Sequence, residues 1–405
     1  MYEKSLYKNV KHISGLSVMV RDICDEISKA CECYVLPYRL PNKCIKKINN
    51  IYILQSGITK LLCYFSIRHL LRNIVRFLFN KNKWIIFEQP LEKYVLSLYK
   101  SYNFDLINFH DFAPETIRLI KTCDEKKIPY VVTMHMYIGS KYKEQNDVIK
   151  RHGFYSSFVY GVLNSLSNMK IVTISTGMKN RILEDHPNIK PQNITAILNT
   201  SNYIENVLQT KSSSETSNKK IFLIIGAVQP CKNQVQLFSA LKHISNDIKS
   251  QIEIYIIGSD PQGIISQIIK DNNADSFVKY IGLVQHNNLA TYYKKCFATI
   301  SLSLVEGFGL TFIESFAFGK PVVMFDDLDA FEDIYTEDCC VPITEHTDEA
   351  VANAIINCVN KTWDEAKIKQ HAKKFNMDTL RESYISLYNN ILNNDTTENN
   401  SRNRL

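Results

Sequence analysis

A chain of 405 residues is long enough for two to three domains. Its 45% hydrophobic, 22% charged and 11% aromatic residues, with only 13 glycines and 11 prolines, exclude collagen-like and low-complexity classes. The net charge of +7 is scattered rather than gathered into a basic patch interleaved with aromatics, which argues against nucleic acid as a partner.

Taken in order, Met1 to Gly15 (MYEKSLYKNVKHISG) lacks an apolar core of signal-peptide length. No uncharged apolar run of ~18 residues occurs either, so the chain reads as cytoplasmic. A helix is predicted over Asp22–Ala30, followed by a strand at Cys33-Tyr-Val-Leu-Pro. Over Ile58–Phe79, apolar residues at Ile67, Leu70, Leu71, Ile74, Val75 and Leu78 accompany Arg68, Arg72 and Arg76 at i, i+4 and i+8. This basic amphipathic helix has two readings: packing on a sheet with a solvated arginine row, or lying on the inner face of an anionic membrane. Buried strands are predicted at Leu106–Phe109, Tyr130–Thr133 and Lys170–Ile174, with a helix over Glu115–Lys127. A polar, serine-rich stretch from Gln209 to Lys220 reads as a linker. Beyond it come strands at Ile221–Ile225, Ile252–Ile257, Val278–Ile281, Ala298–Ser301 and Pro321–Met324. Alternation of short β-branched runs with helical patterns is the mark of βαβ units, so two doubly wound parallel-sheet domains are expected. Asn393–Leu405 (NNDTTENNSRNRL) is expected as a frayed tail. The 11 cysteines form no C-x-x-C pair and read as reduced thiols. No ligand set has zinc spacing, so no metal is expected.

The densest chemistry lies in Ser303-Leu-Val-Glu306-Gly307-Phe308-Gly309-Leu310-Thr311-Phe-Ile-Glu314, running from a strand through a glycine turn into a helix. Gly307 and Gly309 allow close backbone approach of a ligand, and a helix opening near Leu310 presents free N–H groups to an anion such as phosphate. Glu306 and Glu314 flank that seat eight residues apart. Eight residues of helix rise about 12 Å, beyond the roughly 5 to 9.5 Å of a glycosidase carboxylate pair. The spacing better suits a long ligand held at two polar ends, a carboxylate accepting both hydrogens of a vicinal diol. On residues alone, Glu314 reads equally as a surface helix residue and Glu306 as a helix cap.

This segment resembles the E-x₇-E signature of the retaining nucleotide-sugar glycosyltransferases of family four. The resemblance covers roughly Lys100 to the end. Ile221-Phe-Leu-Ile-Ile-Gly226-Ala-Val-Gln-Pro-Cys-Lys232-Asn-Gln is similar to the family's strand and "G-R-L-x-x-x-K-G" loop, and Tyr280-Ile-Gly282-Leu-Val284 to its "F-x-G-x-V" strand end. Ile107-Asn-Phe-His110-Asp111, Tyr130-Val-Val-Thr-Met-His135, Ile171-Val-Thr-Ile-Ser175 and Ile197-Leu-Asn199 resemble more loosely its amino-terminal "H-x-H-D", "V-x-T-x-H", "V-x-x-S" and "I-x-N-G-V" elements.

The resemblance implies an α/β protein of the GT-B fold, two Rossmann-like domains facing a central cleft. Residues 1–205 would form the acceptor domain and 206–375 the donor domain; a helix over 376–392 would return to the first, and 393–405 would be the tail. It implies that Glu314 binds the nucleotide ribose and Glu306 the donor sugar, while Gly307, Phe308, Gly309, Leu310 and Thr311 hold sugar and phosphate through their backbone. Lys232 beside Gly226 would neutralise the diphosphate, Val284 would sit beside the base, His135 would face the reacting sugar, and Gly15 would belong to a glycine loop near the diphosphate. The implied reaction is metal-independent, cofactor-free and retaining: a sugar passes from a nucleoside-diphosphate sugar to a glycan or lipid-linked hydroxyl, as in surface polysaccharide assembly. UDP-sugars are the first expectation and GDP-mannose the second. Ala227 stands where the family usually has arginine, Asn233 where glycine often follows the lysine, and Leu6-Tyr-Lys-Asn-Val makes a poor first strand. Ala227 motivates a rival reading as a nucleotide-sugar or glycan-binding protein with impaired catalysis. A nucleotide-sugar epimerase of the same architecture is the other rival.

Overall fold

The computed structural model describes residues 15–36, 46–48, 50–54, 88–112, 116–139, 159–165, 169–200, 204, 207 and 219–402. The arginine row at 68, 72 and 76 and most of the serine-rich stretch lie outside the described residues.

Helix α1 (Gly15–Ile27) leads to strand β1 (Cys33–Val35), which with β2 (Lys46–Ile48) and β3 (Ile51–Ile53) forms a three-stranded sheet of order β1-β3-β2. Helix α2 (Glu88–Tyr102) then enters a second sheet of order β4-β5-β6-β7, made from β4 (Ile107–His110), β5 (Tyr130–Met134), β6 (Ile171–Thr173) and β7 (Ile194–Ala196). Helices α3 (Ile117–Lys126) and α4 (Thr176–Asp185) are its crossovers. All its pairings are parallel, and every residue of β5 and β6 is buried. Continuous Val/Ile runs are what a sheet covered on both faces requires.

The third sheet has the order β10-β9-β8-β11-β12-β13 and is parallel throughout. It contains β8 (Lys220–Ile225), β9 (Ile252–Ile257), β10 (Val278–Gly282), β11 (Ala298–Ser301), β12 (Val322–Phe325) and β13 (Cys340–Ile343). The helices between and after them are α5 (Gln236–Ala240), α6 (Asn246–Gln251), α7 (Ile264–Asp271), α8 (Leu289–Lys295), α9 (Leu310–Ala317), α10 (Phe331–Ile334), α11 (Asp348–Asn360) and α12 (Glu365–Ala372). Pro342 lies within β13, an edge strand, where a missing N–H costs no ladder bond on the open side.

The last helix, α13 (Met377–Arg402), turns back onto the first half of the chain. Its Leu380, Tyr384 and Ile391 pack with Met19, Ile23 and Ile27 of α1 and with Val131, Val172 and Ile197. Asn108 donates to the Tyr388 hydroxyl at 2.8 Å and Arg381 to Glu26 at 3.1 Å. Two sequence expectations are corrected here. The first helix begins at Gly15, not Asp22, because its apolar face of Met19, Ile23 and Ile27 already starts at Met19, ahead of Asp22. The frayed tail expected from Asn393 is helical to Arg402, since extending a nucleated helix by another residue is far easier than starting one.

Candidate active site at the strand-order reversal

In the six-stranded sheet the chain winds outward from β8 to β10 on one side and from β11 to β13 on the other. Loops leaving the carboxyl ends of β8 and β11 therefore diverge and leave a crevice, the usual ligand position in an open α/β sheet. Gly226, with φ +153, follows β8; Gly258, with φ +156, follows β9. A Cβ on Gly258 would lie 1.9 Å from the Gly226 carbonyl oxygen, so glycine is required by contact between the two turns. Gln234, 2% exposed, ties the loop after β8 by donating to the Ala227 carbonyl at 2.9 Å and accepting from the Gln229 amide at 3.4 Å. Asn233 adopts φ +50, a left-handed conformation that asparagine tolerates better than most residues, so its replacement of the family glycine is conformationally mild. The Leu304 amide donates to the Cys231 carbonyl at 2.9 Å, clipping this loop to the one after β11.

That clip brings together Lys232 and Glu306, 74 positions apart in the chain, as an ion pair between Nζ and Oε2. Burial alone would lower the Lys232 ammonium; the charge and hydrogen bond of Glu306 outweigh it and raise it above the ordinary lysine range. Lys232 is therefore held charged in the crevice rather than solvated. Glu314 is 2% exposed, which removes the surface-helix reading. His286 Nε2 donates to its Oε1 at 2.8 Å and the Tyr293 hydroxyl to its Oε2 at 3.0 Å. Phe308 is 1% exposed and meets Phe375 edge-on at 5.8 Å, so its side chain anchors the turn and leaves only its backbone for a ligand. Gly309 takes φ +86 at the head of α9, where a Cβ would strike the Phe312 ring. Leu310 packs against both the large core and the α1–α13 cluster, Thr311 offers its carbonyl to Tyr293 at 3.4 Å, and Val284 is half-buried on the cluster containing Leu289 and Tyr293.

Opposite this face stand the carboxyl ends of β4 and β5. His110 Nδ1 and His135 Nε2 lie 2.9 Å apart with their rings stacked at 5.2 Å. Burial drives His110 down to about 4; burial and the neighbouring imidazole drive His135 well below the ordinary histidine range, so both rings are neutral. Asp111 accepts the His135 amide at 2.7 Å, and burial pushes its carboxyl up to about 7, an effect the hydrogen bond only partly offsets. The two faces touch at Gly307: a Cβ there would lie 2.5 Å from the His135 carbonyl oxygen, 3.1 Å from Ile174 and 3.3 Å from Met178. The sequence suggested that Gly307 makes room for a ligand; in the structure it makes room for the other half of the protein. Nearby, Asp333 accepts both the Thr176 amide (2.7 Å) and its hydroxyl (2.6 Å), and Arg181 pairs with Asp329. Gly15 is the first residue of α1, whose Arg21 and Asp22 both act electrostatically on His286.

Lys232, Glu306 and the turn 307–311 thus share one crevice, with His135 against Gly307. His286, Tyr293, His110, Gly258 and Gln234 were not singled out from sequence. His110 and Gln234 sat inside motifs without being singled out; His286 and Tyr293 carry no local pattern, since what recruits them is a partner 28 and 21 residues downstream.

Residues 208–375 match the family model described as Glycosyl transferases group 1. The carboxy-terminal domain is thus similar to the glycosyl transferases group 1. Over 213 residues the chain is 24% identical to the O-antigen chain mannosyltransferase RfbU of Salmonella typhimurium, which covers 52% of this chain and 57% of that protein; this chain thus spans little more than half of that relative's length. Sucrose-phosphate synthase from Thermosynechococcus elongatus superposes with a TM-score of 0.69 at 18% identity, over 93% of this chain and 94% of that one. HepE of Anabaena, solved with UDP-glucose, does so with a TM-score of 0.62 at 14% identity, over 94% and 98%. The carboxy-terminal domain and the sheets preceding it together form the GT-B fold.

Proposed function

We propose that the protein is a glycosyltransferase that moves a sugar from a nucleoside-diphosphate sugar to a hydroxyl of a glycan or lipid-linked acceptor, with retention and without a metal. The observation that carries this reading is the ion pair of Lys232 and Glu306 at the strand-order reversal, beside the turn that opens α9. Without a ligand each neutralises the other. With a donor bound, Lys232 turns to the diphosphate and Glu306 to the sugar hydroxyls. The barrier is set by charge growing on the leaving diphosphate. Lys232 and the N–H groups of Leu310 and Thr311 stabilise that charge in a crevice where water is scarce. Glu314 receives the ribose hydroxyls, Val284 lies beside the base, and Gly226 keeps the chain clear of the phosphates. His135 meets the reacting sugar with a neutral ring, as a hydrogen-bonding partner rather than a cation. No protein nucleophile is invoked: the acceptor attacks on the face the diphosphate leaves, and the departing phosphate takes its proton.

The first donors to test are UDP-sugars, then GDP-mannose, the latter favoured by the similarity to RfbU, a mannosyltransferase. O-antigen or related surface polysaccharide is the acceptor class this similarity supports, with the protein working at the inner face of the membrane through Arg68, Arg72 and Arg76. No helix among the described residues is long and apolar enough to cross a membrane. The Lys232→Ala and Glu306→Ala variants should each lose well over tenfold in turnover of UDP- or GDP-sugars while unfolding at the wild-type temperature; near-wild-type rates in both would refute the assignment. Ala227 favours one rival, a donor-binding protein with weak catalysis, because one preorganised cation is worth on the order of a hundredfold in rate. Donor binding without turnover would select it.

A further inference from the structure

A buried carboxylate needs partners for its oxygens, and Glu314 has one on each: His286, from the turn leading into α8, and Tyr293, from α8 itself. A carboxylate offers about four lone-pair positions. One donor per oxygen therefore leaves acceptor capacity on each oxygen and fixes the plane of the carboxylate. This is the geometry that accepts two neighbouring hydroxyls. The two donors differ in kind. Tyr293 is fully buried and is a neutral donor that does not change with pH in the neutral range. The side chain of His286 is 37% exposed and can gain or lose a proton on its ring. The groups around it are Glu314 from α9, Tyr293 from α8, which shares that carboxylate, and Arg21 and Asp22 from α1.

We infer that His286 is a positioning residue for the donor nucleotide: its Nε2–H holds Glu314 in the orientation that grips the vicinal ribose hydroxyls. The inference rests on the reading of Glu314 given above. The hydrogen bond to Glu314 is the main reason His286 keeps its proton to higher pH than an ordinary histidine; burial opposes this, the Glu314 and Asp22 charges add to it, and Arg21 counters it. The imidazolium binds the carboxylate charge to charge, more strongly than the neutral ring does, so the grip is firmest below the titration and loosens as pH rises through it.

The test measures binding of UDP and GDP, and of their 2′,3′-dideoxy forms, to the full chain by calorimetry at about pH 6 and about pH 9. The wild type should prefer the ribonucleotide about tenfold, with the preference shrinking at the higher pH. His286→Ala should weaken ribonucleotide binding about tenfold and abolish the preference. His286→Gln, whose amide nitrogen stands where Nε2 stood, should restore the preference and make it independent of pH, an outcome a merely structural role would not produce. If Glu314→Ala abolishes the preference while His286→Ala keeps it, the inference fails and the reading of Glu314 survives. If His286→Ala binds more tightly at the lower pH, the imidazolium competes for the carboxylate and the inference is overturned. If no nucleoside diphosphate binds the wild type, the proposed function falls and takes the inference with it.

Discussion

Gly307→Ala isolates the contact between the two faces of the crevice. The added Cβ would sit 2.5 Å from the His135 carbonyl oxygen, with Ile174 at 3.1 Å and Met178 at 3.3 Å. Carbon contacts settle near ~3.5 Å, so the strand end carrying His135 must withdraw by about 1 Å. That oxygen is backbone at the end of β5, so no rotamer change relieves the clash. Because the faces belong to different sheets, most of the strain relaxes by separating them, and the stability loss should stay at the low end of the ~1–3 kcal/mol typical of overpacking. Catalysis should suffer more, since a misplacement of about 1 Å costs on the order of a hundredfold in rate. The assay is turnover of UDP- and GDP-sugars beside thermal unfolding, with Gly161→Ala as control because a Cβ there meets nothing within 4 Å. Wild-type turnover in Gly307→Ala would refute the idea that contact between the halves sets the reacting geometry.

Gly309→Ala should behave oppositely: a Cβ 2.3 Å from the Phe312 ring at φ +86 strains the turn within one domain, so the melting temperature falls by several degrees before any effect on rate is considered. Asp333→Ala removes the acceptor for the Thr176 amide and hydroxyl and should cost about 0.5–2 kcal/mol, read as a lower denaturant midpoint. Arg181→Ala should cost more, about 3–5 kcal/mol, because both members of the pair are buried and Asp329 keeps its charge without its guanidinium. Asp111→Asn should change the pH dependence of stability. His110, neutral down to about 4, loses stability as pH falls from its unfolded value through that range, so it makes stability rise with pH. Asp111, raised to about 7, contributes stability below the ordinary carboxyl range that is lost as pH climbs to 7. Removing the second contribution should steepen the rise between about pH 4 and pH 6.5, measured by urea unfolding; an unchanged or shallower slope would show that Asp111 is not held protonated.

What could be read from the sequence divides by the range of the interaction that encodes it. Strands such as β8 (KIFLII) and β9 (IEIYII) announce themselves because burial on both faces forces a continuous apolar run. Of the three-residue strands, β1 and β6 stand out because they sit inside longer apolar runs, whereas β2, β3 and β7 were missed; β13 was hidden by Pro342, harmless only because the strand is an edge. The same division holds in the crevice. Glu306, Gly309 and Glu314 lie on one strand–turn–helix unit, so their spacing is a local fact. Lys232 and Glu306 meet only because strand order reverses between β8 and β11, and His110 reaches His135 only because β4 pairs with β5 in register. Gly307 is the sharpest case. A glycine in a turn suggests backbone freedom or room for a ligand, yet its φ is not among the positive ones, and what excludes a side chain is a carbonyl 172 residues earlier in the chain. A residue type can be chosen by a surface that no local window contains, which is why the two acids bracketing the turn stood out in the sequence and the contact that sets His135 against Gly307 did not.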